Sequence, residues 1–202
     1  MITTMGRKIV ALLGSPLVGG NTAKLLDEAI RGARETGCDV ERIVVPFLNF
    51  QPCMEIFYCV DHETCKMKDD LTPIYEKFRD IDGVIIATPI MTMGIPGKLK
   101  SFMDRFQVYF MAKYVRKNAL VSEEKKSARK GLYIGISGMN NPTVFDGAKM
   151  TVKAFFMIID VQYWGDLLIP DMDTIHNIAR RPELLEAAYQ KGRAFGQAFN
   201  GS

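Results

Sequence analysis

The chain has 202 residues, of which 48% are hydrophobic and 24% charged, and its formal net charge is +3. That length supports one α/β core and excludes two ordinary ones, so a single domain over residues 1–202 is expected. The densest basic cluster, Lys125, Lys126, Arg129 and Lys130, follows Glu123 and Glu124 and reads as a solvated loop or helix end, which argues against a nucleic-acid partner.

No apolar span reaches the roughly 18 residues that a membrane-crossing helix requires. Met1 to Lys8 lacks the charged start, apolar core and small-residue cleavage site of a signal peptide. Four cysteines do not make a disulfide framework in a chain of this size, so a reducing cytoplasm is the expected location.

Taken in order, Ile9 to Leu13 is an unbroken apolar run, the pattern of a strand buried on both faces. Gly14 to Thr22 then forms a turn rich in Gly, Ser and Pro, with Asn21-Thr22 where a helix N-cap belongs. Asn21 to Thr36 has Ala23, Leu26, Ile30 and Ala33 on one helical face, and Gly37 suits the residue after its end. Val40 to Pro46 has strand composition. Phe47 to Asp70 is a long connection holding three of the four cysteines, and such lengths are more often functional than idle.

A short helix is expected over Pro73–Arg79, with Thr72 as N-cap. Gly83 to Thr88 is a second buried strand, ended by Pro89, and Ile90 to Gly97 is a loop. Lys98 to Lys117 reads as one long helix, with Leu99, Phe102, Met103, Phe106 and Phe110 on one side. A strand over Gly131–Ser137, a helix over Gly147–Asp160, a strand over Gln162–Pro170 and a closing helix over Pro182–Asn200 complete the chain. Five alternations of strand and helix predict a flavodoxin-like three-layer α/β sandwich: a parallel sheet in the order 2-1-3-4-5 with helices on both faces.

Ligands of such sheets sit outside the carboxyl ends of the strands, where the order reverses. Three loops meet there: Ser15 to Thr22, Pro89 to Gly97, and Ser137 to Pro142. The first has neither the G-x-G-x-x-G spacing nor a Walker lysine, because Gly20 follows Gly19. Ser15, Asn21 and Thr22 supply neutral donors, and with Pro16, Leu17 and Gly20 they suit a terminal phosphomonoester such as that of FMN. Pro89, Ile90, Met91, Thr92, Met93 and Gly94 of the second loop, with Ser137 and Gly138 of the third, are the candidates for contact with a flat ring.

Gly-Ser-Pro-x-x-Gly-Gly-Asn-Thr, then Thr88-Pro89-Ile90 and Leu99-Lys100-Ser101-Phe102-Met103-Asp104-Arg105, resembles the NADPH-dependent FMN reductase family. Pro52-Cys53 with Lys68-Asp69-Asp70 resembles its iron–sulfur flavoprotein branch. The resemblance implies bound FMN, NAD(P)H as co-substrate, and assembly as dimers or tetramers. The chain departs from the family pattern in two places. Leu17 and Val18 stand where a basic residue often follows the proline, and Met91 and Thr92 stand where aromatics usually pack on the flavin.

The iron–sulfur members carry a C-x2-C-x2-C-x5-C run. Cys53, Cys59 and Cys65 match its first, third and fourth positions, and Ile56 occupies the second. A [4Fe–4S] cluster ordinarily takes four thiolates. His62 offers a Cys3His set for zinc or an unusual cluster, and three reduced thiols without metal are the preferred reading.

The function expected is an FMN-dependent oxidoreductase passing electrons from NAD(P)H to a small acceptor of flavin or quinone type. An FMN electron carrier between protein partners is the alternative, and a domain that has lost flavin is a third. The mildly basic charge favours the reductase over a carrier, and no catalytic acid–base pair is required. His176 reads as a surface loop residue, and Tyr109, Phe110, Met111 and Tyr114 are expected to contribute to a subunit interface.

Overall fold

A computed structural model describes residues 6–199. In it β1 (Lys8–Leu13) leads into α1 (Asn21–Arg34) and β2 (Asp39–Val44), and a long connection then reaches α2 (Leu71–Asp80). β3 (Gly83–Pro89) is followed by α3 (Gly97–Asp104), α4 (Gln107–Phe110), α5 (Glu123–Ala128) and β4 (Lys130–Ile136). α6 (Asp146–Ile158), β5 (Gln162–Ile169), α7 (Met172–Ile175) and α8 (Pro182–Gln197) complete it. The five strands form one parallel sheet in the order β2-β1-β3-β4-β5, as expected.

Side-chain alternation along the central strands divides the core between two layers. Ile9, Ala11 and Leu13 of β1 and Ile85 and Ala87 of β3 face α1 and α8. Val10, Leu12, Val84 and Ile86 face the other way, onto α2, α3 and α6. An aromatic cluster fills that second layer: the Phe106 ring lies 5.2 Å from Phe102, 4.8 Å from Phe78 and 5.2 Å edge-on from Phe155. On the opposite layer α1 and α8 approach backbone to backbone. A Cβ on Gly32 would collide with the Tyr189 carbonyl, and one on Gly192 with the Ala29 carbonyl, so glycine at both positions sets the contact.

Several boundaries differ from those expected. β2 stops at Val44, and Val45–Phe47 turns into a 3-10 segment. α2 begins earlier than the Thr72 cap implies: Asp70 is its N-cap, and Asp69 Oδ1 accepts the Leu71 amide at 3.0 Å. The single helix expected over 98–117 is broken after Asp104. The Phe106 amide donates to Met103 in a tight turn, and the segment ends in a wide π turn at Met111–Val115 with Lys117 in left-handed backbone. Asn200, expected to end the closing helix, and Met1 to Met5 lie outside the described residues.

Arg129 corrects the reading of a solvated basic cluster. It is fully buried, and its guanidinium donates to the Ile159 carbonyl at 2.9 Å and the Phe78 carbonyl at 2.8 Å, near the ends of α6 and α2. A fixed cation there satisfies orphan carbonyls and faces the negative ends of two helix dipoles. Tyr109 is likewise buried within the chain, its hydroxyl donating to Tyr75 O at 2.7 Å, so it cannot serve an interface. Among the described residues no helix is long and apolar enough to cross a membrane.

Candidate functional site

Because β1, β3 and β4 are neighbours, the three loops that follow them emerge side by side at the carboxyl edge. Backbone bonds stitch them together. Gly14 N donates to Ala87 O at 2.8 Å, Ile90 N to Ile136 O at 2.8 Å, and Ser137 N to Ile169 O at 2.9 Å.

The first loop presents its donors from a buried seat. Ser15 and Thr22 are buried, and Ser15 Oγ accepts the Leu17 amide at 3.2 Å. The Leu17 carbonyl takes the Gly20 amide at 2.9 Å, which closes the turn. Gly20, not Asn21, is the N-cap of α1, and it supplies no side chain to the helix end. The first intrahelical bond runs from Lys24 N to Gly20 O, so the amides of Asn21, Thr22 and Ala23 stay free of helix carbonyls. No Cβ contact lies within 4 Å of Gly19, which leaves the loop open to a close ligand.

Asn21 performs a task its sequence position did not reveal. Its amide donates to His176 O at 2.9 Å and its Oδ1 accepts Ile178 N at 3.1 Å, so it fastens the segment after β5 over the start of α1. His176 is exposed, in line with a surface loop residue. Arg42 was also missed. It reaches from β2 to donate to Val18 O at 3.2 Å while its Nε lies 3.4 Å from Asp27 Oδ1, placing a cation on the first loop where Leu17 and Val18 offer none. The sheet order was the available signal, because β2 flanks β1 and ends beside that loop.

In the second loop, Met91 and Gly94 exchange backbone bonds of 2.9 and 3.0 Å. Thr92 and Met93 between them have φ of 49° and 60°, the pattern of a type I′ turn built without glycine. A β-branched residue in left-handed backbone is strained. Met91 and Met93 stand exposed on this turn, as do Leu17 and Val18 on the first loop and Met139 on the third. An exposed apolar rim thus surrounds the buried hydroxyls. In the third loop the side chain that Gly138 lacks would meet the Asp173 carboxylate, so this glycine makes room for a neighbour within the chain.

The sequence profile described as NADPH-dependent FMN reductase matches residues 7–141. The chain belongs to the NADPH-dependent FMN reductase family. Within reach of this family, an iron-sulfur flavoprotein of Methanosarcina thermophila is 32% identical over 111 residues, covering 55% of this chain and 58% of the relative. An iron-sulfur flavoprotein of Methanocaldococcus jannaschii is 31% identical over 152 residues, 75% of this chain and 71% of that one. The matches to the first three of these relatives span about half of their length. Among solved structures, a flavone reductase superposes with TM-score 0.70 at 19% identity, covering 96% of this chain and 63% of that one. An NAD(P)H:quinone oxidoreductase from Methanothermobacter marburgensis gives 0.69 at 15% identity, covering 94% and 96%. At these identities the superpositions show a shared fold.

The cysteine connection lies beside α3 and is gripped by two arginines. Arg105 donates to Gln51 O at 2.6 Å and Asp69 Oδ2 at 2.7 Å, and its Nη2 stands 3.6 Å from Cys65 Sγ. Arg116 donates to the carbonyls of Cys59 and His62. Burial pushes the Cys59 thiol up, and the neighbouring Cys65 and Cys53 sulfurs add to the effect. A four-thiolate cluster does not fit this donor set: Ile56 holds one of the four positions. Among the described residues no three His, Cys, Asp or Glu side chains gather closely enough to hold a metal ion. His62 does not complete the set, since its ring stacks on Tyr58 at 3.6 Å with Nδ1 3.0 Å from Tyr58 O.

Proposed function

We propose that this chain binds FMN at the carboxyl edge of the sheet and acts as an NAD(P)H-dependent oxidoreductase that passes electrons to a small flavin- or quinone-type acceptor. The observation that carries this reading is the pair of buried hydroxyls, Ser15 and Thr22, beside the three free amides that open α1. They would hold the phosphate, with Arg42 adding positive charge through the loop. Pro89, Ile90, Met91, Thr92, Met93 and Gly94 of the second loop, and Ser137 and Gly138 of the third, would border the ring. FMN, when bound, supplies two-electron exchange with the nicotinamide. The chain's own task is to seat it, to aim the backbone amides of the second and third loops at the ring, and to leave the rim open for the acceptor.

Family membership supports the reading, as do relatives named as flavoproteins. We extend it to assembly as a homodimer or homotetramer, on the exposed Met150 and Met157 of α6 and a groove of about 270 Å3 between α3 and α6 floored by Met103 and Phe155. A monomeric mass by light scattering would remove that extension.

Titration of the apoprotein with FMN, followed by NAD(P)H oxidation with a quinone as acceptor, tests the central claim. Ser15→Ala with Thr22→Val should weaken FMN binding by roughly tenfold or more, the scale of lost hydrogen bonds to a charged group, without unfolding the domain. Unchanged affinity would sink the site assignment. Bound FMN without turnover would favour a carrier between protein partners.

A further inference from the structure

A cavity of about 340 Å3 opens beside the end of α3, and Cys53, Cys59 and Cys65 all line it, with Ile56 on the same wall. All three sulfurs are unpaired and half-buried. They are not equivalent. Cys59 and Cys65 pack against the aromatic core, whereas Cys53 belongs to the outer wall, where Glu55 and Phe57 hold left-handed backbone. Arg105 is 1% exposed, and beyond its bonds to Gln51 and Asp69 it directs Nη2 at Cys65 Sγ, 3.6 Å away. Arg105 Nε and Arg116 Nη2 are buried and have no partner of their own. Arg105 therefore aims an N–H at the Cys65 sulfur, while Arg116 is bound to the backbone of the Cys59 turn.

We propose that Cys59 and Cys65 form a redox-active dithiol that exchanges with low-molecular-weight disulfides, in place of a four-thiolate cluster. The Cys65 thiolate attacks one sulfur of a disulfide RSSR. The RS–SR bond breaks, a mixed disulfide forms on Cys65, and the first RS− leaves and takes up a proton. Cys59, losing its proton to solvent, attacks the Cys65 sulfur and releases the second RS−, which is protonated in turn. The protein loses two hydrogens and two electrons, and RSSR becomes two RSH. Arg105 favours attack by Cys65, and Arg116 holds the Cys59 turn in place through its carbonyl.

The inference is independent of FMN binding. Its test is the reaction of the reduced full-length chain, as purified, with oxidised glutathione, read by intact mass and mapping of cross-linked peptides. Wild type should lose two hydrogens and yield a Cys59–Cys65 cross-linked peptide, with Cys53→Ser behaving the same. Cys59→Ser should stop with one glutathione on Cys65. Arg105→Lys should slow capture at Cys65 by roughly tenfold; where that variant does not fold, the cysteine variants carry the result. A wild-type chain that stops at a mixed disulfide, a cross-link to Cys53, or stoichiometric iron with acid-labile sulfide after anaerobic purification would overturn the proposal.

Discussion

The Asn21 side chain donates to the His176 carbonyl across 2.9 Å, joining residues 155 positions apart at the mouth of the candidate site. With its second bond to Ile178 N, Asn21 braces the segment after β5 against the start of α1. Asn21→Ala removes both bonds and should cost about 1–2 kcal/mol of stability. Thermal unfolding should show this as a lower Tm, and FMN titration should show weaker binding because the loop loses its brace. A variant with unchanged Tm and affinity would show that the segment needs no fastening.

Thr92 holds left-handed backbone at the tip of the second loop, where a β-branched side chain is disfavoured. Thr92→Asn should relieve that strain and raise stability by roughly 0.5–1 kcal/mol, since asparagine tolerates the conformation. Denaturant unfolding measures it. A fall in stability would mean that the threonine methyl or hydroxyl makes a contact worth more than the strain.

Arg129 is the buried cation between the ends of α2 and α6. Arg129→Met should leave the Phe78 and Ile159 carbonyls without these donors and cost roughly 2–4 kcal/mol, as loss of two charge-assisted bonds in the interior does. Urea midpoints of the variant and wild type check this. Little change would mean that other donors take over the two helix ends.

Asp80 is paired with Lys125 and Lys8, and these partners hold its carboxyl down to about 2. Because the folded value lies below the unfolded one, its contribution is present above about pH 4 and is lost as the pH falls toward 2. Wild type should therefore exceed Asp80→Asn in Tm near neutrality, and the gap should close in acid and shrink with added salt. A gap independent of pH would assign the effect to packing.

The central strands were legible because β1 and β3 are apolar runs between turn formers, and Ile9 to Leu13 needed no tertiary information. The turn between β1 and α1 was legible for the same local reason. The break after Asp104 was not, because Leu99, Phe102, Met103, Phe106 and Phe110 keep helical spacing through it. What ends the helix is long-range: Arg105 turns in toward Gln51, Asp69 and Cys65, and Phe106 enters the aromatic cluster. Arg42, Arg129 and the true task of Asn21 were hidden likewise, since every partner they have is distant in sequence. Their chemistry could be listed from the chain, but their neighbours could not.

The glycine contact between α1 and α8 also governs when the site can exist. α1 opens with the amides proposed to take the phosphate, yet one of its faces is covered only by a helix synthesised long afterwards. On the ribosome, the nascent chain carries the complete Ser15–Thr22 loop while that face still lacks its cover. If the loop holds FMN as proposed, loading would follow emergence of the closing helix rather than of the loop itself.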